Sequence, residues 1–379
     1  MAVVVGYLVR YPLAGMAWVN LNWMLGLRDL GFEPVFMEAA VTEQACWDVD
    51  AGALTDDAGY GTRFLEDALA AVGLAGTRWW YRGGGRNWGM SADEAEAVLE
   101  SSAVLVNVGA SSWCRAFERA PRRVLVDCDA PLTQLKLAEG REPLTTMVAA
   151  HDTLATSAVN LAEAGGGPFP TGGRQWIPVV PPVHLNSWPA VAMPARGRWT
   201  TVTSWSTGAT VRHEGVVYGQ KDRQYERHMA LPAMVEAELE LAVASNAPVG
   251  RLVSEGWRVI DPVPVTRTLD ALATYVRGSR GELAVAKEGF VVARTGAMND
   301  RSLLYLSSGR PVVCSDVGLD WLPVGEGLLT FSGSEDAASA IRTVDNEPER
   351  HAKAARALAE RFAAAAVVGR LLADADVAP

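Results

Sequence analysis

Cysteine is scarce and unpaired in this sequence: Cys46, Cys114, Cys128 and Cys314 are scattered through 379 residues with no metal spacing. Free thiols in a reducing cytoplasm are the simplest account. The five histidines, His151, His184, His213, His228 and His351, show no metal spacing either. No stretch approaches the roughly 18 apolar residues of a membrane span. The apolar opening, Met1-Ala2-Val3-Val4-Val5-Gly6-Tyr7-Leu8-Val9, has no basic start and no small-residue cleavage site, so it reads as a buried strand and not a signal peptide. Long basic runs are missing too, and the formal net charge is −10. Nucleic acid and anionic membrane are therefore not expected as partners. No G-x-G-x-x-G follows a strand, and the glycines at 83–85 are preceded by aromatics, which argues against an NAD-dependent oxidoreductase.

What is present is a large apolar content, 49% of the residues. A chain of this length is too long for one ordinary core, and two domains of roughly 150–200 residues are expected. The opening predicts a strand at 3–9, a loop at 10–15, an amphipathic helix at 16–30 closed by Gly31 and a strand at 34–37. That is a βαβ start and implies a parallel sheet. A helix at 93–101 and strands at 103–108, 124–127 and 154–157 follow, then a Gly/Pro-rich connection at 165–173 and 178–182. The pattern restarts with a strand at 199–204, helices at 222–229 and 232–241 and a strand at 256–260. A helix at 268–277, a strand at 283–286, a helix at 301–308 and strands at 311–315 and 328–331 complete it. The Ala-rich tail, 348–374, reads as one long helix or a pair. The expected organisation is α/β, with doubly wound domains at 1–180 and 181–350 and a helical tail at 351–379 that packs back on the first domain.

Several constellations carry chemistry. Asn299-Asp300-Arg301-Ser302 opens a short apolar helix that stops at Gly309 before an all-apolar strand. Helix-start amides with an Arg and polar side chains make a ready diphosphate site, while Asn299 or Asp300 can equally be a simple cap. Lys221, at a helix start after the first strand of the second domain, could bring an ammonium to the same phosphates. Lys287 could bind phosphate or a sugar hydroxyl, and Glu288 beside it could face the sugar. Gly15, in the loop after the first strand, allows close backbone approach of a ligand. Asp127 and Asp129 end a strand of the first domain, where either carboxylate could take a proton from a hydroxyl as general base. Trp79, Trp80 and Trp88, next to three glycines, form an aromatic surface loop on which a sugar or flat acceptor could stack, or a patch that packs over the sheet edge. His151 beside Asp152 could line a cleft, but reads more readily as a satisfied structural histidine.

Taken in order, the segments Asp127-Cys128-Asp129-Ala130-Pro131, Thr133-Gln134, His151-Asp152, Pro170-Thr171-Gly172-Gly173, Trp176, Tyr218-Gly219-Gln220-Lys221, Asp300-Arg301, Gly309-Arg310-Pro311-Val312-Val313 and Gly325-Glu326-Gly327-Leu328 carry a resemblance. The chain resembles two-Rossmann (GT-B) glycosyltransferases, similar to bacterial glycosyltransferases of the spore-maturation type. The resemblance covers most of the chain and is strongest from 120 to 331. It implies two Rossmann-like domains facing a cleft and a C-terminal helix crossing back. It also implies a nucleotide-sugar donor on the second domain, a small-molecule, lipid or glycan acceptor on the first, and transfer with no metal and no cofactor. A homodimer is left open. One departure is plain: related retaining enzymes carry two glutamates near the G-x-P turn, and alignment on Gly309-Arg310-Pro311 puts Gly296 and Leu304 there. The ribose contact and the stereochemical outcome stay open. So do the alternatives of a sugar-nucleotide epimerase, a pseudo-glycosyltransferase and a catalytically inert sugar-nucleotide- or glycan-binding protein.

Overall fold

A computed structural model of the chain describes residues 1–40, 44–163, 171, 173–244 and 246–378. The expected connection at 165–173 lies outside the described residues except for Thr171 and Gly173, and so do Pro170 and Gly172 of the quoted motif. The chain forms two compact units. Unit 1 holds Met1–His184, Thr266–Leu269 and the stretch from Ala363 onward; unit 2 holds Leu185–Val265 and Asp270–Phe362.

Unit 1 is built on one sheet with the strand order Ile177–Pro178, Thr153–Thr156, Arg123–Asp127, Val104–Val108, Ala2–Val5, Pro34–Ala39, Trp79–Gly83, Arg86–Gly89. All neighbours pair in parallel except the last two. Ala2–Val5 is buried along its whole length, as a central parallel strand must be. It ends four residues before the expected Val9, because residues 6–13 turn away into a loop. Val5 lies opposite Met37 on one side and Asn107 on the other, so the chain leaves this strand at the point where the sheet order reverses. The Ala14–Asp29 helix follows. Ala92–Ser101 starts at a capping box: Ser91 Oγ accepts from the Glu94 amide (3.2 Å) and Glu94 Oε2 from the Ser91 amide (2.8 Å).

The aromatic stretch at 79–88 is not a loop. Trp79–Gly83 and Arg86–Gly89 form an antiparallel hairpin at the sheet edge, joined through Gly84 (φ 54°) and Gly85 (φ 72°). Two consecutive left-handed residues make the tight turn whose twist matches the strands, and glycine adopts them without strain.

Unit 2 carries an all-parallel sheet in the order Arg258–Ile260, Leu239–Ala244, Trp199–Ser204, Gly281–Ala284, Val312–Ser315, Leu328–Phe331. The expected helix at 232–241 is corrected. A 3₁₀ turn covers Leu231–Met234, and Leu239–Ala244 is an interior strand. The Glu/Ala/Leu composition favours helix locally, but pairing on both sides and burial override propensity. Asp300–Ser307 ends at Gly309 (φ 71°), after which Arg310 starts back towards the Val312–Ser315 strand. Arg310 is fully buried, and its guanidinium donates to the carbonyls of Arg277 (2.6 and 3.1 Å), Val191 (3.1 Å) and Ala192 (2.8 Å). Burial pushes it down to about 10.

The tail is divided between the units. Pro348–Ala359 packs against Asp300–Ser307 within unit 2, and after a 3₁₀ turn at Glu360–Phe362 the Ala364–Asp374 helix lies along Ala14–Asp29 within unit 1. Among the described residues no helix is long and apolar enough to cross a membrane.

Candidate functional site

In unit 2 the first strand, Trp199–Ser204, lies between Leu239–Ala244 and Gly281–Ala284, so the sheet order reverses around it. Ligands in open α/β sheets bind beyond the C-terminal end of such a strand. Two cations sit there. Lys221 opens the Lys221–Arg227 helix, and its Nζ donates to Thr203 Oγ1 at 2.9 Å. Arg301, on the Asp300–Ser307 helix, donates from Nη1 to the Val202 carbonyl at 2.7 Å and from Nε to Glu282 Oε1. Burial on its own would weaken the charge on Arg301, but the Glu282 carboxylate outweighs it and holds the guanidinium above its ordinary pKa. The two cations are thus anchored on adjacent residues of one strand end.

The other residues of the helix start have different places. Asn299 is the cap: its Oδ1 accepts from the Arg301 amide at 2.9 Å. Burial pushes the Asp300 carboxyl up to about 6, against its own amide and Arg301. Ser302 is buried. The helix ladder begins at Leu303, whose amide donates to the Asn299 carbonyl (3.3 Å), so Asp300 and Ser302 amides lie outside it.

Lys287 and Glu288 open the next helix, Glu288–Ala293. Lys287 holds its ammonium 5.8 Å from the Phe290 ring centroid. Glu288 was expected to face a sugar, but its side chain is 3% exposed and closed in by Arg223 and by Arg227 (2.7 Å). Both arginines belong to the Lys221–Arg227 helix, and the Gly289 amide donates to the Gly219 carbonyl at 3.0 Å. Glu288 therefore fixes the helix that carries Lys221.

The matching turn of unit 1 is built oppositely. Glu38, fully buried on Pro34–Ala39, accepts the consecutive amides of Leu8 (2.7 Å), Val9 (2.6 Å) and Arg10 (3.0 Å). The turn that could cradle an anion is filled by the chain's own carboxylate. The same loop carries Tyr7 and Tyr11, half-buried, with ring centroids 5.2 Å apart. Gly15 is exposed, and a Cβ added there would meet no atom within 4 Å, so nothing in the fold itself requires glycine.

Asp127 and Asp129 part company. Asp127 is buried and accepts from the Asp129 amide (2.9 Å), Thr133 Oγ1 (2.7 Å), Gln134 Nε2 (3.1 Å) and Thr156 Oγ1 (3.3 Å). A carboxylate so enclosed organises its turn and has no lone pair facing a substrate, which corrects its expected role as base. Asp129 is half-exposed, with Lys136 Nζ at 4.0 Å. His151 is structural, as expected: Nδ1 donates to the Met147 carbonyl (2.7 Å), Nε2 faces Asn107 Nδ2 (3.4 Å), and burial pushes it down to about 4.

The three tryptophans also divide. Trp80 is buried in the unit 1 core and is unavailable to a ligand. Trp88 is half-buried against Tyr81, with centroids 5.4 Å apart, and Trp79 is half-buried.

Glu38 escaped the sequence reading, and the signal was a lone acid inside the otherwise apolar run Pro34-Val35-Phe36-Met37-Glu38-Ala39. Glu282, within Gly281-Glu282-Leu283-Ala284, is the same signal in unit 2. Acids are almost never fully buried unless something specific pairs with them.

No family model matches this sequence, and no curated protein matches it. Solved structures match over nearly the whole chain. AviGT4, a glycosyltransferase involved in avilamycin A biosynthesis, superposes with a TM-score of 0.53 at 13% identity, covering 99% of this chain and 97% of that one. An alpha-glucosyltransferase (AGT) in complex with UDP gives 0.57 at 9% identity, covering 98% of each chain. The trehalose-6-phosphate synthase OtsA gives 0.54 at 10% identity, covering 100% and 99%. At such identities the likeness is one of fold: the chain has the GT-B architecture of two Rossmann-like α/β units.

Proposed function

We propose that this protein is a glycosyltransferase that moves a sugar from a nucleotide-diphosphate donor to a hydroxyl-bearing small-molecule, lipid or glycan acceptor in the cytoplasm, with side chains rather than a metal meeting the diphosphate charge. The observation that carries this reading is the contrast between the two strand-end turns. Lys221 and Arg301 stand at the turn of unit 2, while Glu38 fills that of unit 1. A dianionic diphosphate is attracted to the first and shut out of the second, whose amides are already taken by Glu38, which supports a donor on unit 2 and an acceptor on unit 1. The motifs quoted above support a place among the spore-maturation-type enzymes, and the fold shared with AviGT4, AGT and OtsA supports the class.

As the glycosidic bond breaks, negative charge grows on the leaving diphosphate. Cations already fixed in place stabilise it without reorganising. Lys221 serves as a mobile point charge and Arg301 as a held planar donor. Asp129, at the end of Arg123–Asp127 with its amide pinned by Asp127, is assigned as the base that takes the acceptor proton.

The test is a thermal-shift panel of UDP, GDP, dTDP and ADP on wild type and Lys221→Ala. A nucleotide at about 100 times its Kd should add about 2.7 kcal/mol. A selective shift that the substitution removes supports the reading; no shift with any of the four refutes it. Donor turnover without an acceptor would favour the epimerase alternative, and binding without any turnover the inert one.

A further inference from the structure

Glu282 sits on Gly281–Ala284, next to the Trp199–Ser204 strand, and has no exposed surface. A ligand cannot touch it. One of its oxygens, Oε1, accepts from Arg301 Nε; the other, Oε2, is buried and has no hydrogen-bond partner among the described residues. This is not the strongest arrangement open to the pair. An arginine and a carboxylate bind best through two parallel bonds, and here the Nε/Nη2 fork would supply both. Instead Nη1 is drawn to the Val202 carbonyl at 2.7 Å, and Nη2 has no hydrogen-bond partner among the described residues.

The guanidinium is thus held at two points on adjacent strands, Glu282 and Val202. A planar group held at two points is fixed in orientation. Its side chain is 16% exposed, so the unused nitrogen is still within reach of solvent. A buried acceptor left open normally costs stability and calls for an explanation. The explanation offered by the geometry is that closing the fork would tie Nη2 to Glu282 and take one of its two N–H donors.

We propose that Glu282 is a positioning residue for donor binding: it holds Arg301 through Nε alone and so leaves Nη2 for a diphosphate oxygen. This rests on the nucleotide-diphosphate reading above. Glu282 acts on the ligand only through Arg301, which distinguishes it from a residue that merely supports the fold.

The probe is the nucleoside diphosphate among UDP, GDP, dTDP and ADP that stabilises the wild type, titrated calorimetrically into wild type, Glu282→Gln, Arg301→Gln and the double variant. Glu282→Gln should weaken binding at least ~10-fold, and should cause no further loss once Arg301 is Gln. An equal loss in both backgrounds, or no loss in the wild-type background, overturns the proposal. Should Arg301→Gln not fold, nitrogen NMR of the arginine side chain in the wild type decides. Binding should perturb Nη2 of Arg301 and leave its Nε bond in place, and an unperturbed Nη2 overturns the proposal. Failure of the wild type to bind any of the four nucleotides would sink the functional reading itself. Binding that ignores Glu282 would sink only this inference.

Discussion

Glu38 and Val9 meet at 2.6 Å, carboxylate to backbone amide, inside a core that leaves Glu38 no exposed surface. Burial pushes this carboxyl from 4.5 up to about 7, outweighing the amides of Leu8, Val9 and Arg10 and the Arg10 charge. Between those two values the folded protein keeps a proton that the unfolded chain has lost. Stability from this group is therefore full below about pH 4.5 and falls as pH rises towards 7, by about 3 kcal/mol in all. Urea unfolding of wild type and Glu38→Gln across that window measures it. The stability difference between the two should shift against the wild type as pH rises, and a constant difference would show that Glu38 titrates normally.

Lys221 and Arg301 should respond differently to removal. Lys221 is half-buried at a helix start, so Lys221→Ala should leave unfolding nearly unchanged and weaken nucleotide binding about 10- to 100-fold, as expected for loss of a charged hydrogen bond. Arg301→Ala strands the buried Glu282 and should cost about 3–5 kcal/mol of stability as well. Denaturant melts alongside nucleotide titrations separate the two. Equal stability of both variants would contradict the ion pair.

Asp127→Ala should destabilise by at least ~2 kcal/mol, because four donors lose their acceptor. Asp129→Asn should change stability by less than about 0.5 kcal/mol and lower transfer by about 10²- to 10⁴-fold. Full transfer activity in Asp129→Asn would rule that carboxylate out as the base.

Trp80→Ala removes a buried core side chain and should cost about 3–5 kcal/mol. Trp88→Ala, on the edge strand and half-buried, should cost much less and leave the fold intact. Comparable melting temperatures for the two variants would contradict the hairpin.

The elements most easily read from sequence were those whose burial pattern is strong and local. Trp199–Ser204 and Leu328–Phe331 match the expected bounds, and Ala92–Ser101 starts one residue before the expected helix at 93–101. The hairpin at Trp79–Gly89 carries a sequence signal, the glycines at 83–85 between two short aromatic-bearing segments, but its three tryptophans point as readily to a ligand surface. Leu239–Ala244 was missed because its helix-favouring residues gain more from two parallel neighbours than from helical propensity.

The sequence by itself determined two successive α/β units, the polar helix start at Asn299 and the basic residues Lys221 and Arg301, because apolar periodicity and helix-start chemistry act over a few neighbouring residues. Only the tertiary structure decided what those residues face. It set Arg301 on Glu282, closed Glu288 between two arginines, enclosed Asp127 and filled the unit 1 turn with Glu38. Each of these depends on side chains brought together from separate strands and helices, and in a buried, weakly screened interior those partners fix the role of a charged group.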